Sequence, residues 1–274
     1  MNIVVTGSST GIGRALVHRL LGEDHAVWGI ARSDQAELVA ASGGAFRASR
    51  CDVADWPRTQ QVFAEIGAAW KHLDGLVCCA GSHGEVGPAV QADPGKWSAT
   101  VRVNLDGTFN PIRACYNLLT QAPRRAKVVC FAGGGATKAR TNFSGYGVAK
   151  TGIVRLVETI AEEEAQAPLD INAVAPGAIV TRLTEEIISL GPDIAGQAEF
   201  DSAVRQKAGG GASLEHALDL VEWLLSPKSD GISGKLISAP WDPWKALAEN
   251  ASSLARSDVY TLRRILPEDR GMKF

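Results

Sequence analysis

The chain lacks a long apolar segment: none of its hydrophobic runs approaches the ~20 residues needed to cross a bilayer. No leader-type segment precedes the first apolar run, Ile3 to Val5, so a cytoplasmic protein without membrane attachment is expected. An excess of either charge is also missing. Lys and Arg number 28 against 30 for Asp and Glu, a formal net charge of −2, which removes the electrostatic basis for general binding to nucleic acid or lipid. Small-molecule work is the remaining class. The five cysteines are odd in number, show no C-x-x-C spacing and mostly sit in apolar runs such as GLVCCAG. Neighbouring Cys78 and Cys79 would point to opposite faces of a strand, against a shared metal or redox pair, and no metal site is expected. Repeats and low-complexity linkers are absent too, so nothing divides the first 240 residues.

What is present is 45% apolar content, enough to bury a full core. Short β-type runs recur at Ile3 to Val5, Ala26 to Ile30, Leu76 to Cys79, Val128 to Phe131, Ile171 to Val174 and Leu236 to Ile237, with helix-period segments between. They do not alternate strictly, as expected of strands covered on both faces. The pattern predicts an α/β fold with a doubly wound parallel sheet and right-handed crossovers, one domain over 1–240. Trp97 to Gln121 reads as one extended helix, and Tyr146 to Ala165 as another with Ile153, Leu156, Val157 and Ile160 on one face. Ser213 reads as the N-cap of a helix through Leu225 that Pro227 ends.

The first strand runs into TGSSTGIGRA, with Gly7, Gly11 and Gly13 enclosing Ser9, Thr10 and Ile12. Between a strand and a helix, such glycines allow a tight turn, and the helix N-terminus then offers N–H groups to a pyrophosphate. After the second strand comes GIARSD. A carboxylate there suits the ribose 2′-OH of NAD and an arginine the 2′-phosphate of NADP. Arg32 and Ser33 favour NADP(H) over NAD(H), the alternative being a solvated Arg32 with Asp34 serving the ribose.

Tyr146 and Lys150 stand four apart, one helical turn, as a phenol acid and the ammonium that tunes it should. A phenol with a pKa near ~10 needs such a neighbour to act as a base at neutral pH. Together with TGSSTGIG, Asp52 in CDV, CCAG, Asn104 in VNLDGTF and PGAIVT at 176 to 181, the chain resembles the short-chain dehydrogenase/reductase family over residues 1 to about 240. The resemblance implies a Rossmann-type oxidoreductase using a nicotinamide cofactor on a small-molecule carbonyl or alcohol. It implies Tyr146 as acid/base, Lys150 as its partner and ribose anchor, and Asn104 as a link in a proton relay. It places Asp52 and Val53 at the adenine, Ala80 and Gly81 near the ribose, and Pro176, Gly177, Ile179 and Thr181 around the nicotinamide, whose carboxamide Thr181 would hold. It also implies a homodimer or homotetramer built through the helices starting near Trp97 and Tyr146. Where the family usually has two asparagines, Cys78 and Cys79 stand, which loosens the hydrogen bonding expected around the central strand.

One group is missing. The family usually carries a substrate-holding serine thirteen residues before the tyrosine, and Ala132 and Gly133 occupy that region. Loss of a comparable oxyanion-hole donor costs on the order of 10² to 10³ in rate. Replacements are sought in Thr137, Asn142, Ser144 or the backbone N–H groups of 133–135 arranged as a nest. The alternatives are slow catalysis, or a dinucleotide-binding sensor or assembly protein without turnover. His83, Glu85, Lys138, Arg140 and Asn142 in nearby loops suggest a polar substrate. Segment 182 to 210, rich in Gly and Ala, suits a mobile lid. The extension 241–274 opens with PWDPW, and Trp241 and Trp244 are expected to anchor it on the domain or on a neighbouring subunit.

Overall fold

The computed structural model describes residues 1–273, and in it seven parallel strands form a single sheet. They are β1 (Asn2–Thr6), β2 (Ala26–Ala31), β3 (Phe46–Arg50), β4 (Gly75–Cys78), β5 (Ala126–Phe131), β6 (Leu169–Ala175) and β7 (Leu236–Ser238). Their order is β3-β2-β1-β4-β5-β6-β7, so the winding reverses between β1 and β4. A crevice at the carboxyl ends of these strands is where this architecture binds its ligands. The helices are α1 (Gly11–Gly22), α2 (Ala36–Ala41), α3 (Trp56–Ala69), α4 (Pro94–Val101), α5 (Gly107–Thr120), α6 (Ser144–Glu163), α7 (Arg182–Ala195), α8 (Gln197–Arg205), α9 (Leu214–Leu225) and α10 (Ala251–Ala255).

Consecutive β1 residues serve opposite cores, which is why the run is uninterrupted. Ile3 and Val5 pack with Leu16, Leu20, Leu220 and Leu224 of α1 and α9. Val4 packs on the other face with Ile66, Ile112, Leu119 and Ile153 of α3, α5 and α6. Strand β3 was not among the expected strands. As an edge strand it buries only Phe46 and Ser49 fully, and its ladder to β2 rather than an apolar run defines it. Ser213 caps α9 by accepting from His216 N, as expected.

The single helix expected from Trp97 to Gln121 is two helices joined by a wide π-type turn, Arg102–Asp106. Pro111 has no N–H to give Gly107, and the Asn104 amide donates at 2.9 Å to Thr100 O, an acceptor that a regular turn reserves for the backbone. At the far end of the sheet Lys127 of β5 donates to Asp170 of β6 at 2.7 Å, both all but buried.

The chain beyond Pro240 returns along the sheet edge. Leu236 N of β7 donates to Tyr260 O at 2.8 Å, and Leu262 N donates to Glu158 of α6 at 2.6 Å. Of the two tryptophans expected to anchor this segment, Trp244 is buried against Trp223, whereas Trp241 is 85% exposed. Phe274 lies outside the described residues. No helix among the described residues is long and apolar enough to cross a membrane.

Candidate active site

The loop between β1 and α1 is folded tightly against itself. A Cβ on Gly13 would lie 2.4 Å from Gly7 O, and one on Gly7 would lie 2.7 Å from Ala80 N, so neither position accepts a side chain. The N-cap residue Thr10 makes no side-chain cap bond and the first turn of α1 holds no acid, so its N–H groups and positive dipole end stay free for an anion. Ser9, Thr10, Arg32, Ser33, Asp52, Val53, Ala80 and Gly81 line one cleft with Gly7, and Cys51, Val103 and Arg182 join them. The donors fit a dinucleotide: uncapped amides for a pyrophosphate, a guanidinium and a hydroxyl at the β2 end. Arg182 was absent from the sequence reading, although its place right after PGAIVT marked it. Thr181 sits over the same loop, its Cγ2 3.7 Å from where a Gly11 Cβ would be, and caps α7 by accepting from Leu183 N. Pro176, Gly177 and Ile179 belong to this β6–α7 loop, with Ile179 turned into the core. Ile12 packs on that same core and does not face the cleft.

Next to the Cys78–Cys79 pair, Thr6 supplies side-chain hydrogen bonding to the strand end. Its hydroxyl accepts from both Cys79 N and Ala80 N at 3.2 Å, which fixes the turn after β4. All five cysteines are unpaired.

Tyr146 and Lys150 sit on the first turns of α6, above the end of β5. Lys150 is buried and donates to Phe131 O at 2.7 Å, which aims its ammonium across the strand ends. Burial lowers its pKa to about 8. Asn104, in the π-type turn, is fully buried; its amide donates to Ser82 O and Thr100 O at 2.9 Å, while its Oδ1 has no partner. That oxygen would lie 2.7 Å from a Cβ on Gly81, and Lys150 Nζ 3.6 Å from the same point. The structure thus converges Asn104, Gly81 and Lys150 on one spot, with an acceptor left open. Burial raises the Tyr146 phenol above its ordinary pKa, and the positive charge opposing this rise is Arg140.

Gly133 is the residue of the serine region that faces the phenol: a Cβ there would be 3.9 Å from Tyr146 Oη, whereas Ala132 packs into the core with Cys130 and Ala136. The three side chains expected to replace the hydroxyl are directed elsewhere. Asn142 donates to Ile194 O at 3.0 Å, Ser144 accepts from Trp97 Nε1 at 3.1 Å, and Thr137 is exposed. Short polar side chains so close to the backbone find partners locally. His83 and Arg140 stand beside Tyr146 instead, with the His83 ring centre 5.1 Å and the Arg140 guanidinium carbon 5.6 Å from the phenol ring centre. Sequence placed both in nearby loops but not at the site, because loop side chains carry no periodicity that would orient them.

Residues 1–189 match the family model described as short chain dehydrogenase. A short chain dehydrogenase of Monascus purpureus is 30% identical over 92% of this chain and 85% of its own length. Levodione reductase of Leifsonia aquatica is 28% identical over 67% of this chain and 71% of its own. Among solved structures, a short chain dehydrogenase of Escherichia coli CFT073 complexed with NADPH superposes with a TM-score of 0.73 at 23% identity, over 87% of this chain and 96% of that one, a likeness of fold.

Proposed function

The chain belongs to the short-chain dehydrogenase family, and on that premise we propose that it is an NADP(H)-dependent oxidoreductase interconverting a carbonyl and a secondary alcohol on a small polar substrate. The observation that carries the reading is the convergence of Tyr146, Lys150 and Asn104 at the strand ends next to an open anion cradle. When bound, the nicotinamide supplies or accepts the hydride. Tyr146, protonated at neutral pH because burial holds its pKa up, gives a proton to the substrate oxygen in reduction and recovers it in oxidation. Lys150 keeps a donor beside the phenol and toward the ribose. Asn104 Oδ1, buried and unpartnered, is the acceptor for a water that passes protons onward.

Arg32 and Ser33 at the cleft support NADP over NAD. Residues 1–240 form the catalytic domain in this reading, and 241–274 an extension docked on it through Trp244. Phe109 of α5 and Val148 of α6 leave apolar side chains exposed, which supports a homodimer or homotetramer through these helices, and the unpaired cysteines support a reducing cytoplasm. Gly133 favours a second reading, a dinucleotide-binding sensor or assembly protein without turnover, since it brings no hydroxyl to the phenol.

The experiment follows NADPH oxidation against aldehydes, cyclic ketones and aldoses, with Tyr146→Phe as control. Turnover that falls by about 10² to 10⁴ in the variant is expected. Tight NADPH binding with no Tyr146-dependent turnover on any of these would sink the enzyme reading in favour of the sensor.

A further inference from the structure

The loop between β5 and α6 carries a cation that the chemistry above leaves unused. The Arg140 guanidinium carbon lies 4.1 Å from the Phe143 ring centre and 5.6 Å from that of Tyr146. Its Nη2 donates to Glu199 Oε2 of α8 at 2.8 Å, and its Nη1 stands 3.5 Å from His83 Nε2. A guanidinium presents five N–H donors in a rigid fork, so most of them are unspent here. Side-chain exposure is only 19%, which restricts competition from water.

His83 is buried edge-on against Phe143 and Tyr146, with 5.1 Å between ring centres in both cases. Burial first, then Arg140 and Lys150, press its pKa to about 3, so the ring is neutral and one nitrogen is an acceptor. With Nε2 turned to the Arg140 N–H, the tautomer assigned by this contact carries its proton on Nδ1. That nitrogen is buried without a hydrogen-bond partner, and Glu186 Oε2 at 3.7 Å is beyond reach. That N–H faces the Glu186 side, away from Arg140, so what His83 offers this cluster is the Nε2 acceptor that holds the guanidinium.

We propose that Arg140 is the oxygen-binding group of this site, its free N–H groups donating to the substrate's reacting oxygen where Gly133 carries no hydroxyl, while His83 Nε2 positions the guanidinium. The proposal rests on the oxidoreductase reading above. Its electrostatic consequence is a positive charge over the phenol from the substrate side, in addition to Lys150 from the cofactor side. The titratable and charged groups around this cluster are Lys150 of α6, Cys79 after β4, His83 of the following loop, Glu186 of α7, 3.7 Å from His83, and Glu199 of α8, which pairs with Arg140. Burial raises the phenol, Arg140 opposes this, and Cys79 adds to it.

The test labels the full chain with [13Cζ]tyrosine. Only Tyr116, Tyr146 and Tyr260 respond, and Tyr146→Phe assigns the middle one. Arg140→Gln is expected to move the Tyr146 titration midpoint up by about one pH unit or more, and Glu199→Gln to move it down, because the first removes the cation and the second its counter-charge. The midpoint reads the charge of Arg140 at the phenol, and kcat reads its contact with the substrate oxygen; a mere latch between the loop and α8 would leave kcat in place and give both variants the same loss of thermal stability. That result overturns the proposal. Should Arg140→Gln fail to fold, Glu199→Gln decides alone: an unchanged or raised midpoint overturns the proposal. On the best carbonyl of the panel with NADPH, Arg140→Gln should lower kcat about a hundredfold and His83→Phe, which frees the guanidinium, by a smaller factor, both with NADPH affinity unchanged; an unchanged kcat in Arg140→Gln overturns the proposal. A wild-type chain without turnover counts against the function proposed above, whereas the phenol titration reads Arg140 without turnover, so the two failures are distinguishable.

Discussion

Replacing Lys150 by methionine is expected to make the cofactor-free protein more stable while ending its activity. Lys150 is 5% exposed, and its ammonium has one partner, Phe131 O at 2.7 Å. Burial lowers its pKa from 10.5 to about 8, so at pH 7 the folded chain holds a charge it would rather not hold. That drop corresponds to roughly 3 kcal/mol against the folded state. Methionine has a similar length, removes the charge and forfeits one hydrogen bond of about 1 kcal/mol, leaving a net gain of about 2 kcal/mol. In a domain of this size the melting temperature should rise by about 4 °C or more. The pH dependence gives the sharper check. Between about pH 8 and 10.5 the folded lysine has released its proton and the unfolded one has not, so unfolding takes up a proton and wild-type stability rises with pH across that window. Lys150→Met should lack this rise. Urea denaturation of both proteins from pH 7 to 10.5 measures it, and a variant less stable than wild type at pH 7, or one that keeps the wild-type slope, would refute the reasoning.

Other outcomes follow from single contacts. Gly133 has φ 142° and ψ −179°, a region open essentially to glycine. Gly133→Ser should therefore lose about 1 to 3 kcal/mol in urea denaturation and gain no turnover, and a tenfold gain in kcat would contradict this. Asp170→Asn leaves Lys127 buried with only the half-exposed Asp230 as counter-ion and should cost about 3 kcal/mol in the same measurement. Arg32→Ala should weaken NADPH binding about tenfold to a hundredfold in fluorescence titration and leave NADH binding nearly as it was, while equal effects on both would point to Asp34 at the ribose.

The residues that were legible in the sequence act through local or one-dimensional rules. Val4 and its neighbours announce a strand covered on both faces because an uninterrupted apolar run has no other economical place. Ser213 announces a helix start because its oxygen serves a backbone N–H three residues on. Gly7 and Gly13 announce a close backbone approach, and the contact is between each other and with Ala80. The misses need three dimensions. Strand β3 is specified by its neighbour β2 and the π-type turn by Asn104 reaching back to Thr100. Trp241 and Trp244 have the same composition-level signal, and only the turn between them decides which is buried. Arg140 and His83 lie 57 positions apart and meet only because the loops after β4 and β5 both cross the same crevice.

The absent hydroxyl is a matter of backbone path before it is one of side chain. At Gly133 the chain leaves β5 in a conformation that excludes serine, then continues through a short 3-10 turn to Thr137 and on to Arg140. A serine there would carry about 1 to 3 kcal/mol of backbone strain, and relief of that strain through the short turn would bear on the segment that lays Arg140 over Phe143 and Tyr146. The hydroxyl and the guanidinium thus draw on the same few residues of loop, and this chain has the path that favours the guanidinium. The same coupling gives Gly133 an influence on the phenol without touching it by a hydrogen bond. A change at 133 that moves Arg140 off these rings should shift the phenol's titration in the direction seen when Arg140 itself is removed.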